Sequence, residues 1–143
     1  MAIIRQLRDH RILTNNPLVP ACLEGRGPYT ISFYPEKTLR EILVLARDLV
    51  YAGHALYTHP LSGSLKPNET PYKSVIVSTE QGEFDAWQGG LMEKAIATAD
   101  KFPPIHRKYS EQELRDFQLI DYDLLAGSIG LDGLAGLSNL QQP

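Results

Sequence analysis

Cysteine is all but missing from this chain: Cys22 is the only one. A disulfide framework within the chain and a cysteine-based zinc site are therefore both excluded. Long hydrophobic runs are missing too, and nothing approaches the roughly 20 apolar residues of a membrane span. Like charges form no block and the net charge is −3, so nucleic acid and anionic membrane are poor candidate partners. The first residues, MAIIRQLRDHR, put charges where a signal peptide would carry an apolar core. With a lone thiol, that sets a cytoplasmic expectation. No internal repeat or low-complexity block is visible.

What is present is ordinary for a globular protein. The chain has 143 residues, 43% hydrophobic and 22% charged, a size typical of one domain. A globule of this length buries roughly two-thirds of its unfolded surface and needs no disulfide or metal to stand alone. The expectation is a single α/β domain over residues 1–143, with 126–143 a Gly/Leu-rich tail.

Local patterns place the elements. Ile12–Leu13–Thr14 is a short apolar run halted by Asn15-Asn16-Pro17, which reads as a buried strand ending in a turn. Residues 18–28, with Pro20, Gly25, Gly27 and Pro28, read as a connecting loop. Tyr29–Tyr34 alternates in the manner of a half-exposed strand, ended by Pro35. Thr38 and Glu41 form a capping box. Leu39, Ile42, Leu43, Ala46, Leu49 and Val50 then recur at helical spacing until Gly53 supplies the stop. His54–Thr58 reads as the next strand. Strand 29–34, helix 38–52 and strand 54–58 thus form a βαβ core.

Ser74–Ser78 is a further buried strand. From Asp85 a second amphipathic helix carries Trp87, Leu91, Met92, Ala95, Ile96 and Ala99. The Gly89-Gly90 pair weakens its first turns, and Phe102-Pro103-Pro104 ends it. Trp87 reads as core. Ser110 and Glu113 form another capping box, leading into Leu114 and Phe117. From Ala126 the chain is too glycine-rich for a helix signal and too apolar for a solvated linker. These elements predict a mostly parallel, four-stranded sheet with flanking helices.

Chemistry concentrates between the strands at 54–58 and 74–78. The connection from His59 to Lys73 is about 15 residues, longer than most loops in compact domains. Pro60, Pro67 and Pro71 stiffen it, and Leu61, Leu65 and Tyr72 offer anchors. His59 can donate, accept or shuttle a proton. Ser62, Ser64, Thr70 and the amides around Gly63 can donate to an anion. Lys66 and Lys73 supply positive charge, while Asn68 and Glu69 supply an amide and a carboxylate. Thr58–His59 falls at a strand's carboxyl end, where open α/β sheets bind ligands. Asn15 and Asn16 reach the same rim if their strand runs parallel, so the two polar clusters are expected to converge on one pocket.

Plainer roles stand beside each of these. Asn15-Asn16-Pro17 also suits turn chemistry, His59 a bond to the loop backbone, Ser62-Gly63-Ser64 a tight turn, and the lysines a solvated surface. Ser62-Gly-Ser-Leu-Lys66 lacks the Gly-Lys-Ser/Thr ending of a phosphate loop. A Ser62/Lys66 nucleophile pair rests on spacing alone. His10, His54, His59 and His106 show no metal-ligand spacing. Cys22 reads as a buried or incidental thiol. No cofactor and no metal is expected.

Thr14-Asn-Asn-Pro17, the helix with Arg47-Asp48, Gly53-His54, and Thr58-His-Pro-Leu-Ser-Gly-Ser-Leu-Lys-Pro-Asn-Glu-Thr-Pro-Tyr-Lys-Ser74 together resemble the GrdX-type family. These are small bacterial proteins encoded beside the glycine, sarcosine and betaine reductase systems of amino-acid-fermenting anaerobes. The resemblance covers roughly residues 12–78. It implies an accessory role in reductive amino-acid metabolism and brings no residue roles with it. A single thiol excludes the chain as a dithiol redox carrier.

Three functions follow as expectations. The first is a site for a small anionic metabolite at Thr58–Ser74. The second is an assembly factor for a reductase subunit, docking through the loop and the apolar tail Ile129–Leu140, which also suits a homo-oligomer. The third is an enzyme with His59 as acid/base, assisted by Ser62 or Lys66.

Overall fold

The computed structural model describes residues 9–61, 69–102 and 108–130. In chain order the elements are β1 (His10–Thr14), α1 (Leu18–Leu23), β2 (Thr30–Phe33), α2 (Leu39–Tyr51), β3 (His54–Leu56), β4 (Ser74–Gln81), α3 (Ala86–Lys101) and α4 (Glu111–Ser128). The strands form one sheet in the order β2-β1-β4-β3.

Burial explains the order. β1 and β4 hold continuous apolar runs, Ile12–Leu13 and Val75–Ile76–Val77, buried on both faces. Such strands belong in the middle of a sheet. β2 alternates and is at most half-buried, which suits an edge. On one face, Leu13, Val75, Val77 and Leu56 pack against Leu39, Ile42, Leu43, Ala46 and Val50 of α2 and Met92 and Ile96 of α3. On the other, Ile12 and Ile76 pack against Val19, Cys22 and Leu23 of α1 and Tyr122, Leu125 and Ala126 of α4. The result is a three-layer α/β/α arrangement.

The expected α/β class and four strands are present, but the sheet is mixed rather than mostly parallel. β1 pairs with β2 in parallel, whereas β4 runs antiparallel to both β1 and β3. The expected βαβ unit exists as a crossover whose two strands occupy opposite edges, with β1 and β4 between them. The physical reason lies in the connection before β4. Parallel neighbours need a crossover of a dozen residues or more, usually a helix, whereas antiparallel neighbours need none. The stretch from His59 to Lys73 carries three prolines, a composition that disfavours a crossover helix, and β4 runs back beside β3.

Three local expectations also change. Residues 18–28 are not wholly loop, because α1 occupies Leu18–Leu23. Pro20 sits in its first turn, where a missing N–H costs nothing, since the first four helical N–H groups lack partners in any case. Trp87 is not core: it is 72% exposed on the first turn of α3. The Gly/Leu-rich stretch begins inside a helix, as α4 runs on through Ala126 to Ser128.

The local signals that set the main helices are realised. Thr38 N–H donates to Glu41 Oε1 at 3.0 Å and Glu41 N–H to Thr38 Oγ1 at 3.1 Å. Ser110 and Glu113 repeat the exchange at the start of α4, both at 3.1 Å. Gly53, at φ +108°, closes α2 and passes the chain directly into β3.

Candidate functional site

The strand directions bring polar residues to one rim. β1 ends there at Thr14, β2 at Phe33 and β3 at Leu56, and β4 begins there at Ser74. The asparagine turn and the end of the long loop meet at this rim. Asn15 Nδ2 donates to Lys37 O at 2.8 Å and to Pro71 O at 2.9 Å, while Asn15 Oδ1 accepts from Lys73 N at 2.8 Å. One carboxamide thus ties three segments, and both its N–H bonds are spent on the protein.

Asn16 does the same for the helices. Its Nδ2 donates to Gln118 O at 2.9 Å and Asp121 Oδ2 at 3.0 Å, and its Oδ1 accepts from Leu18 N at 3.0 Å, at the start of α1. Both asparagines are buried. They build the rim and have no side-chain N–H left to offer a ligand.

Below them runs a chain of hydroxyls. Ser74 Oγ donates to Asp121 Oδ2 at 2.7 Å. Ser74 has a single O–H, so Thr14 Oγ1 must donate in its 2.7 Å contact with Ser74 Oγ. Thr14 Oγ1 in turn accepts from Asn16 N at 3.0 Å. The wire runs Thr14 to Ser74 to Asp121 in one direction.

Lys73 and Asp121 are the chemically pointed residues. Lys73 is only 8% exposed, and among the described residues its ammonium makes no hydrogen bond or ion pair. Burial pulls Lys73 below the ordinary lysine value, with Asp121 opposing the shift. Burial also pushes the Asp121 carboxyl above the usual carboxylate range, against the pull of Ser74, Asn16 and Lys73. Both shifts disfavour charge, as desolvation must.

The two residues share a cleft. Thr58, Lys73, Ser74, Asp121, Leu124, Leu125 and Ser128 line a recess of about 260 Å³, its open mouth included. The space it encloses is only about 20 Å³, room for roughly one water-sized group, so it takes the end of a small polar molecule rather than a drug-sized ligand. Thr58 Oγ1 accepts from Ile76 N at 3.0 Å, which fixes its hydroxyl at the wall.

The other expected site residues divide. His59 is exposed, and its Nδ1 accepts from Leu61 N at 3.1 Å, a local loop contact. Glu69 is half-buried. Ser62, Gly63, Ser64, Lys66 and Asn68 lie outside the described residues, as do 131–143 of the tail. Asp121 was not foreseen from the sequence. Its signal was register: it shares a helical face with Gln118, Tyr122 and Leu125, so a carboxylate stands where α4 meets the sheet. Among the described residues, no group of three His, Cys, Asp or Glu side chains is placed to hold a metal ion. None of the described helices is long and apolar enough to cross a membrane.

Fold and rim define a small α/β/α protein with a desolvated lysine and carboxyl sharing one cleft. The chain belongs to the GrdX-like protein family, whose model matches residues 11–130. That span exceeds the stretch of resemblance at 12–78 and takes in α4 with Asp121. No curated protein and no solved structure matches the chain.

Proposed function

We propose that this protein binds a small anionic metabolite, a short carboxylate or a phosphate, in the rim cleft, with Lys73 supplying the charge. One observation carries the reading: Lys73 is 8% exposed and has no partner for its ammonium among the described residues. Asp121 acts on Lys73 across the cleft but does not reach ion-pair distance, so the buried cation is poorly compensated, and an arriving anion reduces that cost. Thr58 accepts from Ile76 N and keeps its own O–H to donate, whereas Ser74 and Ser128 spend theirs on Asp121 and Leu125 O; Leu125 is buried in the wall. Family membership extends the proposal to an accessory role in glycine reductase-type amino-acid metabolism.

Thermal unfolding with acetate, glycolate or phosphate tests it. At ten times its dissociation constant, a ligand stabilises the native state by about 1.4 kcal/mol. The wild type should show that rise with at least one of the three, and Lys73→Gln should lose it. Equal responses in both proteins, or none in the wild type, would defeat the proposal.

A second reading, docking onto a reductase subunit, draws on exposed aromatics at the opposite end of the sheet. Tyr51 and Phe84 stack at 4.9 Å, and both are exposed, as is Trp87 nearby on α3. This reading expects Trp87→Ser to weaken co-purification with a purified subunit by about tenfold, the scale of an aromatic hot spot. An unchanged yield argues against it.

A further inference from the structure

We propose that Lys73 is a covalent site, whose side-chain amine forms an imine with a short aldehyde or α-oxo acid held in the rim cleft while Asp121 moves the protons. The inference rests on the reading of the cleft as a site for a small carboxylate, and goes beyond it by assigning a reaction.

Geometry supplies the parts. An amine becomes a carbonyl nucleophile when it is desolvated and free of ion pairs. Lys73 meets both conditions: it is buried and no described residue pairs with it. The side chain must also reach open space, and Lys73 is one of the residues that line the cleft. Imine formation needs a group that gives and takes protons beside the reacting carbon. Asp121 lines the same cleft. Its Oδ2 is fixed by Ser74 and Asn16, which leaves the other oxygen to carry the proton. Burial favours the neutral form of both groups, the pair of states the first step requires.

The step balances. The Lys73 Nζ lone pair forms a C–N bond to the carbonyl carbon, and the carbonyl oxygen takes the Asp121 proton. The Asp121 carboxylate then removes a proton from the nitrogen, giving a neutral carbinolamine. Asp121 returns that proton to the hydroxyl, which leaves as water while the C=N bond forms. One amine, one carbonyl and one carboxyl become one iminium, one water and one carboxylate. The iminium is positive, as the ammonium was, so the attraction for a ligand carboxylate is retained.

The experiment incubates the full chain with glyoxylate and cyanoborohydride, which reduces an imine to a stable amine, and maps the product by mass spectrometry. Glycolate, of similar size but without the carbonyl, is run in parallel by thermal unfolding. Lys73 should gain one carboxymethyl group about tenfold faster than any other lysine, since a carbonyl seated in the cleft meets its amine at a raised effective concentration. Lys73→Arg should abolish that product. Asp121→Asn, shown to be folded by circular dichroism, should slow it by about a hundredfold. Labelling spread evenly over the lysines, or centred on Lys66, overturns the proposal. Glycolate stabilisation without Lys73 labelling overturns the imine alone and leaves the anion site. Lys73 labelling without glycolate stabilisation supports the imine and removes the non-covalent reading, and failure of both removes both.

Discussion

Single side chains decide what this rim can do. Asn15 and Asn16 close the fold and are consumed by it, whereas Lys73 and Asp121 are placed at a cost that packing does not explain. Linkage gives the cost a sign. The folded carboxyl of Asp121 is raised above its ordinary value of 3.8, so the stability it contributes is full below that pH and is lost as pH rises through the raised value. Lys73 is lowered from 10.5, so its contribution is full above that pH and is lost as pH falls through the lowered value. Each group is therefore held at a cost whenever it carries its charge.

Asp121→Asn keeps an oxygen acceptor for Ser74 and Asn16 while removing the charge. Its stability relative to the wild type should therefore improve as pH rises above about 4 toward neutrality. Urea unfolding of both proteins across that range is the check, and a difference that stays constant with pH would contradict it. At this scale the sequence was partly legible. The turn residues and Lys73 stood out by type and spacing. Asp121 did not, because Asp116, Asp121 and Asp123 all sit on one helix and only three-dimensional register separates them.

Elements were legible where their signals are local. Both capping boxes lie within four residues, and each is realised as a reciprocal pair of bonds. α1 was missed because prolines and glycines dominate 18–28, although proline in a first turn is harmless. The stop at Gly53 was legible as a helix end, but its tightness was not. A Cβ there would lie 2.0 Å from Gly82 O, where Gly82 N–H donates back to Gly53 O at 2.8 Å. Its φ of +108° is itself unfavourable for alanine. Gly53→Ala should cost at least about 2 kcal/mol through strain and a lost backbone contact. The urea midpoint should fall accordingly, while glycolate stabilisation persists because Gly53 lies at the end of the sheet opposite the rim. A cost below about 0.5 kcal/mol would mean that the α2–β3 junction yields readily.

Strand neighbours are a property of the whole molecule, which is why the sheet was the least legible feature. Periodicity in Val75–Val77 reports burial on two faces, and two adjacent strands of either direction would satisfy it. The deciding information sat in the connection, whose Pro60, Pro67 and Pro71 disfavour a crossover helix by composition. Once β4 turns back between β1 and β3, its first residues must lie at the rim where β1 and β3 finish. Lys73 and Ser74 are thereby carried to Asn15 and Thr58. α4, packing on the face that presents Ile12 and Ile76, then lowers Asp121 onto the same spot, in a bond spanning 105 positions from Asn16. The cleft is assembled from distant segments, since its residues come from the β3–β4 connection, β4 and α4. The family model reaches from β1 through the end of α4, and so takes in every cleft residue together with the strand that β4 pairs with.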